Sequence, residues 1–476
     1  MSQDTAKANV RIEQDSLGPL EVPADAYFGV QSLRAMHNFP VSGQPMPKSF
    51  IKAHALIKKA AALTNHELAL LDAQRTGAIC QAVDEIIAGQ FADQFPVDVY
   101  QTGSGTSTNM NLNEVIASRA NEILGGKRGD KAPIHPNDHV NMGQSSNDTI
   151  PTSLHVAALM EIHQTLLPGI ARLQASLEKK SRETWAVIKT GRTHLQDATP
   201  IRMGQEFLGY AGQMQRSAER IKAAAADLSE VALGGTAVGT GINAHPQFAP
   251  RVCQLLSQWL SVNIKETTNH FQAQATLDAA CFASGVLKTV AVSLTKICND
   301  IRWMSCGPRA GLGEIEIPAV QPGSSIMPGK VNPVIAESAL MVCQRVIGND
   351  ATVTAAASAG NFELIVTIPV VTLALLDSIT LLGRSAENLA VQCVDGITAT
   401  SRGPALVEAG LMLATALAPV IGYENAAGIA KQAAKTGQTI REVAAVKTHL
   451  TAAKLSELLD PATMVEPSNR VLPTAG

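Results

Sequence analysis

Five segments between residues 151 and about 394 repeat apolar residues at steps of mostly three and four, a period that leaves little but long helices open to this chain. In IRMGQEFLGYAGQMQRSAERI the stripe is Met203, Phe207, Tyr210, Met214 and Ile221; in LKTVAVSLTKICNDI it is Leu287, Val290, Leu294, Ile297 and Ile301. PTSLHVAALMEIHQTLLPGIARLQASLEKK is a third such segment, with a kink expected at Pro168. A fourth runs over 333–357 and a fifth over 366–394. Segments of about 25 residues span roughly 40 Å at 1.5 Å per residue, more than one compact domain needs, and predict a bundle shared between subunits. The fold class is mainly α, in three parts. Residues 1–143 form a mixed domain with turn-rich pieces around two or three helices, and 144–401 the long-helix domain. Residues 402–476 form a small helical unit in which IGYENAAGIAKQAAKTG ends at Gly437.

Composition narrows the function classes. Aromatic residues make up 4% of the chain, so helices pack through small side chains. The formal charge of −3 offers no basic surface for nucleic acid. The polar start MSQDTAKANVRIEQD lacks a signal-peptide pattern, and no uncharged stretch reaches the ~20 apolar residues of a membrane helix. A cytoplasmic protein without nucleic-acid or membrane partners is expected. The seven cysteines form no CxxC pair and are read as buried reduced thiols.

Four polar clusters interrupt the helical pattern: QTGSGTSTNMN (101–111), GQSSND (143–148), GRTHLQDATP (191–200) and GSSIMPGKVNP (323–333). The last is no P-loop, because Val331 stands where the magnesium-binding hydroxyl belongs. GTGINA (239–244) matches a dinucleotide fingerprint without a strand–helix–strand context. Singly, each polar cluster could be a helix cap or a turn. Together they supply hydroxyls, amides and one lysine, which suits a small dianion. In HPNDH, His135 and His139 are four apart, but Pro136 and the cap-like Asn137-Asp138 favour a helix start over a metal site. His155 and His163 are read as ordinary helix-surface residues.

GSSIMPGKVNP closely resembles the signature of the fumarase/aspartase superfamily, and the other three clusters resemble its remaining catalytic segments, in order, from about Arg11 to about Val465. The resemblance is closest to the class II, iron-independent fumarate hydratases. It implies a homotetramer around a multi-helix core, with each active site built from three subunits, and a dicarboxylate substrate. It implies reversible anti hydration of fumarate to (S)-malate through an aci-carboxylate, without cofactor or metal. By the same resemblance Ser324 is the base on a mobile loop, and His194 positions water or the leaving group. Ser104, Thr106, Ser145, Ser146, Asn147, Thr193, Lys330 and Asn332 bind substrate. His135, Asn137 and Asp138 match an accessory carboxylate site.

The chain departs from the family pattern at Ala132, where a basic residue is common, and at Ile365, where Asn usually follows GNFEL. DAYFGVQSLRA is more similar to aspartases, whereas QTGSGT, GGTAVGTG and IGYENAA are similar to fumarases. Aspartate ammonia-lyase is the alternative, and a non-catalytic structural tetramer a further one.

Overall fold

The computed structural model describes residues 9–467. Its contacts divide the chain into two units, 1–168 with 219–291 and 344–383, and 169–218 with 292–343 and 384–476.

The first unit opens with a β-hairpin, β1 (Val10–Asp15) against β2 (Gly18–Pro23). Helices α1 (Val30–Asn38), α2 (Lys48–Glu67), α3 (Ala73–Ile87) and α4 (Thr106–Ile123) follow. That is four α-helices among the described residues where two or three were expected. Helix α2 packs against α3, α4 and α5 (Ser146–Glu161). Phe50, Ala53, Ile57, Ala60 and Ala61 form its buried face, but His54 and Lys58 lie on the same face, also fully buried.

Helix α5 begins with a capping box: the Ser145 hydroxyl accepts from the chain while the Asp148 carboxylate accepts the Ser145 N–H. A single π-helical turn, Ile162–Leu166, separates α5 from α6 (Leu167–Glu183). The irregularity expected at Pro168 therefore takes the form of a widened turn just before it, where the missing proline N–H is accommodated.

In the second unit GRTHLQDATP is not the edge of a helix. It is the centre of an antiparallel hairpin, β3 (Ile188–Thr193) and β4 (Gln196–Arg202). Helix α7 (Met203–Leu228) then runs 26 residues; α8 (Phe248–Leu260) and α9 (His270–Ala275), next along the chain, belong to the first unit. The GTGINA segment in fact lies between two short strands, 230–231 and 265–266, that pair in parallel, but α8 starts only at Phe248, beyond it. Helices α10 (Asp278–Met304), α11 (Val334–Ala357) and α12 (Ile368–Gln392) run 27, 24 and 25 residues. All ten stripe residues named from the sequence on α7 and α10 are buried. Residues 278–304 and 368–396 are long and apolar enough to cross a membrane by length and composition, and half or more of each apolar window is buried within the chain. The C-terminal helices enclose a core of Leu413, Leu417, Ile429, Ile440, Val443 and Leu459. The helix Tyr423–Thr436 ends on Gly437 at φ 73°, as its sequence predicts.

Candidate active site

Thr106 starts α4 and Ser146 starts α5, and the two helix starts lie side by side. Ser104 Oγ is 2.8 Å from Thr106 Oγ1, which is 2.7 Å from Ser146 Oγ. The first two polar clusters thus form one continuous hydroxyl chain at two helix N-termini, where partial positive charge favours an anion. Gly103 is required here: a Cβ would sit 1.8 Å from the Val366 carbonyl oxygen. Asn147 donates through Nδ2 to the Ala237 carbonyl at 2.7 Å. Ser145 is occupied as the α5 cap, so for that residue the plain reading as a cap holds.

Behind the hydroxyls lies a buried polar layer. Lys58 Nζ donates to Asn109 Oδ1 at 2.8 Å, Asn141 Oδ1 at 2.9 Å and Gln144 Oε1 at 3.0 Å. Burial pushes its ammonium down to about 7, with Asp148 opposing. Burial also raises Asp148, to about 6, against the N–H groups of Ser145, Thr236 and Gly234 and the charge of Lys58. Burial and the neighbouring Lys58 charge push the His54 imidazole well below its usual range. Its Nε2 lies 3.0 Å from Asn109 Oδ1 and its Nδ1 2.7 Å from Ser153 Oγ. Sequence reasoning passed over Lys58 and His54. The signal was present, as charged and polar residues on the apolar stripe of SFIKAHALIKKAAAL.

The second unit carries the remaining candidates. Ser324 Oγ accepts the backbone N–H of Met327 at 2.9 Å and of Ile326 at 3.2 Å. The loop closes on itself: Gly323 N–H donates to the Lys330 carbonyl at 2.8 Å and Asn332 Nδ2 donates to the Gly323 carbonyl. A Cβ on Gly323 would meet the Lys330 carbonyl oxygen at 2.3 Å. Lys330 is exposed. Thr193 and His194 are exposed at the tip of the β3–β4 hairpin, where His194 and Leu195 form a two-residue turn at φ 57° and 60°. His194, Arg192, Tyr210, Lys296 and Trp303 line a cavity of about 810 Å³. Glu314, fully buried, takes Arg192 at 2.8 and 3.1 Å and Lys189 at 3.2 Å, which ties the hairpin down. Sequence reasoning missed this ion cluster too.

His135 caps the turn Pro136–Val140 through Nδ1, which accepts the N–H groups of Asn137 and Asp138 at 3.2 Å each. The helix start expected there exists, but the capping side chain is His135 and not Asn137 or Asp138. His135 and Asn137 border a cavity of about 600 Å³ that also receives Arg34 and Lys131. His155 is half-buried, with Nδ1 2.9 Å from the Glu230 carbonyl oxygen, and is not a surface residue; His163 is exposed. Ile365 is fully buried, which gives its departure from Asn a physical basis: the position is core in this chain. Among the described residues no group of three or more His, Cys, Asp and Glu is placed to hold a metal, and all seven cysteines are free.

A family model described as Lyase matches residues 18–348, and one described as Fumarase C C-terminus matches 413–466. The class II fumarate hydratase of Neisseria meningitidis is 48% identical over 460 residues, 96% of this chain and 100% of that protein. This chain belongs to the class II fumarate hydratase family. A second family member, from Halobacterium salinarum, is 51% identical over 95% of this chain and 96% of its own. Among solved structures, the class II fumarase of Schistosoma mansoni superposes with a TM-score of 0.94 at 40% identity, covering 97% of this chain and all of that one. A Brucella melitensis protein described as fumarate lyase:delta crystallin bound to cobalt gives 0.92 at 50% identity, covering 96% of this chain and all of that one. The C-terminal family match coincides with the enclosed core around Leu413–Leu459.

Proposed function

We propose that the chain catalyses the reversible anti addition of water to fumarate, giving (S)-malate. The observation that carries this reading is the Ser324 hydroxyl, whose oxygen receives two backbone N–H groups inside a self-closed glycine-flanked loop. An oxygen so placed is prepared to bear negative charge, which an unassisted serine is not. In the dehydration direction the Ser324 oxyanion removes the C3 proton of malate. The electron pair moves onto the adjacent carboxyl group as an aci-carboxylate, and loss of hydroxide from C2 forms the double bond. Lys330 and Asn332 receive substrate carboxylate. The Ser104–Thr106–Ser146 chain and Thr193 supply hydroxyls, and Asn147 an amide, that both donate and accept, which suits carboxylate and water alike. Ser145 supports this set as the cap of α5. His194 orients the water or leaving group from a neighbouring subunit of a homotetramer. His135, Asn137 and Asp138 hold a carboxylate in an accessory site.

Product analysis tests the reading. Purified protein is incubated with L-malate alone, with L-aspartate alone, and with fumarate in the presence and absence of ammonium. Fumarate formed from L-malate, and malate from fumarate irrespective of ammonium, is the expected result. Fumarate formed rapidly from L-aspartate with none from L-malate would overturn it in favour of an ammonia-lyase.

A further inference from the structure

Lys58 occupies a position that simple packing does not explain. It is fully buried, on an apolar helix face, and no carboxylate contacts its Nζ among the described residues. A lone buried ammonium is costly. Here it is met by three amide oxygens, one from α4 and two from the segment leading into α5. Each amide is turned to present its oxygen. Asn109 Nδ2 donates to Asn141 Oδ1 at 3.2 Å, and Asn141 Nδ2 to the Gln144 carbonyl at 3.1 Å. Gln144 Nε2 donates to the Val140 and Met142 carbonyls at 3.2 Å each. Only a protonated amine has three N–H donors, so three converging acceptors favour the charged form.

The segments it joins are those that carry the hydroxyl chain. Asn109 stands one turn into the helix that Thr106 begins, and Gln144 directly precedes Ser145-Ser146-Asn147. On the same helix His54 bonds Asn109 and Ser153, further along α4 and α5, and Asn65 bonds the Met142 carbonyl, whereas Lys58 bonds both Asn109 and the segment that leads into α5.

We propose that Lys58 is a positioning residue, whose ammonium ties the start of α4 to the approach of α5 and so sets the Thr106–Ser146 hydroxyl pair that receives a substrate carboxylate. The proposal rests on the fumarase reading for its substrate, but the geometry it asserts stands apart from turnover. A shift of the pair by about 1 Å in a pre-set site costs on the order of 10²-fold in rate.

The test uses the full-length protein with Lys58→Met, which keeps length and suits an apolar helix face, and with Gln144→Leu, which removes one acceptor. The expected result for Lys58→Met is a folded protein whose crystal structure separates Thr106 Oγ1 from Ser146 Oγ beyond hydrogen-bonding distance. Succinate, used as an unreactive dicarboxylate, binds at least about tenfold more weakly, and kcat/KM for fumarate falls about a hundredfold. Lys58→Arg does not restore it, because a planar guanidinium cannot match three converging oxygens. Should Lys58→Met fail to fold, Gln144→Leu carries the same readouts, with succinate at least about threefold weaker. A hydroxyl pair still bonded, with succinate affinity within about twofold of the parent in a folded variant, would overturn the proposal, as would lowered thermal stability as the sole effect. A parent that turns over neither fumarate nor malate defeats the fumarase reading alone, because hydroxyl spacing and succinate binding still decide the role of Lys58.

Discussion

At the residue scale the deciding group is Ser324. Two N–H groups converge on its oxygen, and the dicarboxylate binding proposed above is spread over many other donors. Ser324→Ala is therefore expected to lower kcat by about 10²-fold or more while fumarate still binds, since a positioned base contributes roughly that much. Steady-state kinetics with a separate binding measurement checks this, and activity within about tenfold of the parent would remove Ser324 from the role. Glu314 illustrates the opposite kind of residue. It is wholly buried and satisfied by Arg192 and Lys189, and it holds the hairpin from within the fold.

At the scale of elements, the site depends on where helices begin. The start of α4 approaches the chain ahead of α12 so closely that the Gly103 carbonyl accepts the Ile368 N–H at 3.0 Å, and a Cβ on Gly103 would overlap the Val366 carbonyl. Gly103→Ala must push these two segments apart. Thermal denaturation is expected to reveal a loss of about 2–4 kcal/mol, at the upper end for single substitutions, and dicarboxylate binding is expected to weaken with it because Ser104 and Thr106 follow directly. Unchanged stability would mean that the approach relaxes without cost. The β3–β4 hairpin uses a different device: two non-glycine residues in left-handed conformation present His194 at the tip. Such strain persists only where the surroundings over-determine it, and the Arg192–Glu314–Lys189 cluster supplies that hold.

For the whole molecule, the long helices leave large apolar side chains uncovered. Val292 and Trp303 on α10 and Met341 on α11 are each more than half exposed. Apolar residues in that number on helices of 24–27 residues fit association with further copies of the chain. Light scattering at micromolar concentration is expected to give about four times the chain mass of 50.0 kDa. A monomer throughout that range would contradict the tetramer and, with it, an active site assembled from several subunits.

The sequence by itself determined the long helices, several of their boundaries, and the family. The stripe residues named between Met203 and Ile221 and between Leu287 and Ile301 are buried as their period requires, because a helix must turn its apolar stripe away from water. Gly437 ends its helix because only glycine takes φ 73° without cost. The polar clusters at 101–111 and 143–148 were legible as candidates, and the hydroxyls of Ser104, Thr106 and Ser146 do meet. The hairpin at 188–202 was not legible, since His194-Leu195 lacks the glycine or asparagine that marks a two-residue turn. Nor was the burial of Ile365, whose neighbours are set by distant parts of the chain. Lys58 is the clearest case. Its place on an apolar stripe is visible in one dimension, but its three partners come from residues 51, 83 and 86 positions away, and only the tertiary structure decides which amides a buried ammonium meets. Periodicity is a local consequence of backbone geometry, whereas the satisfaction of a buried charge depends on segments that only the folded chain brings together.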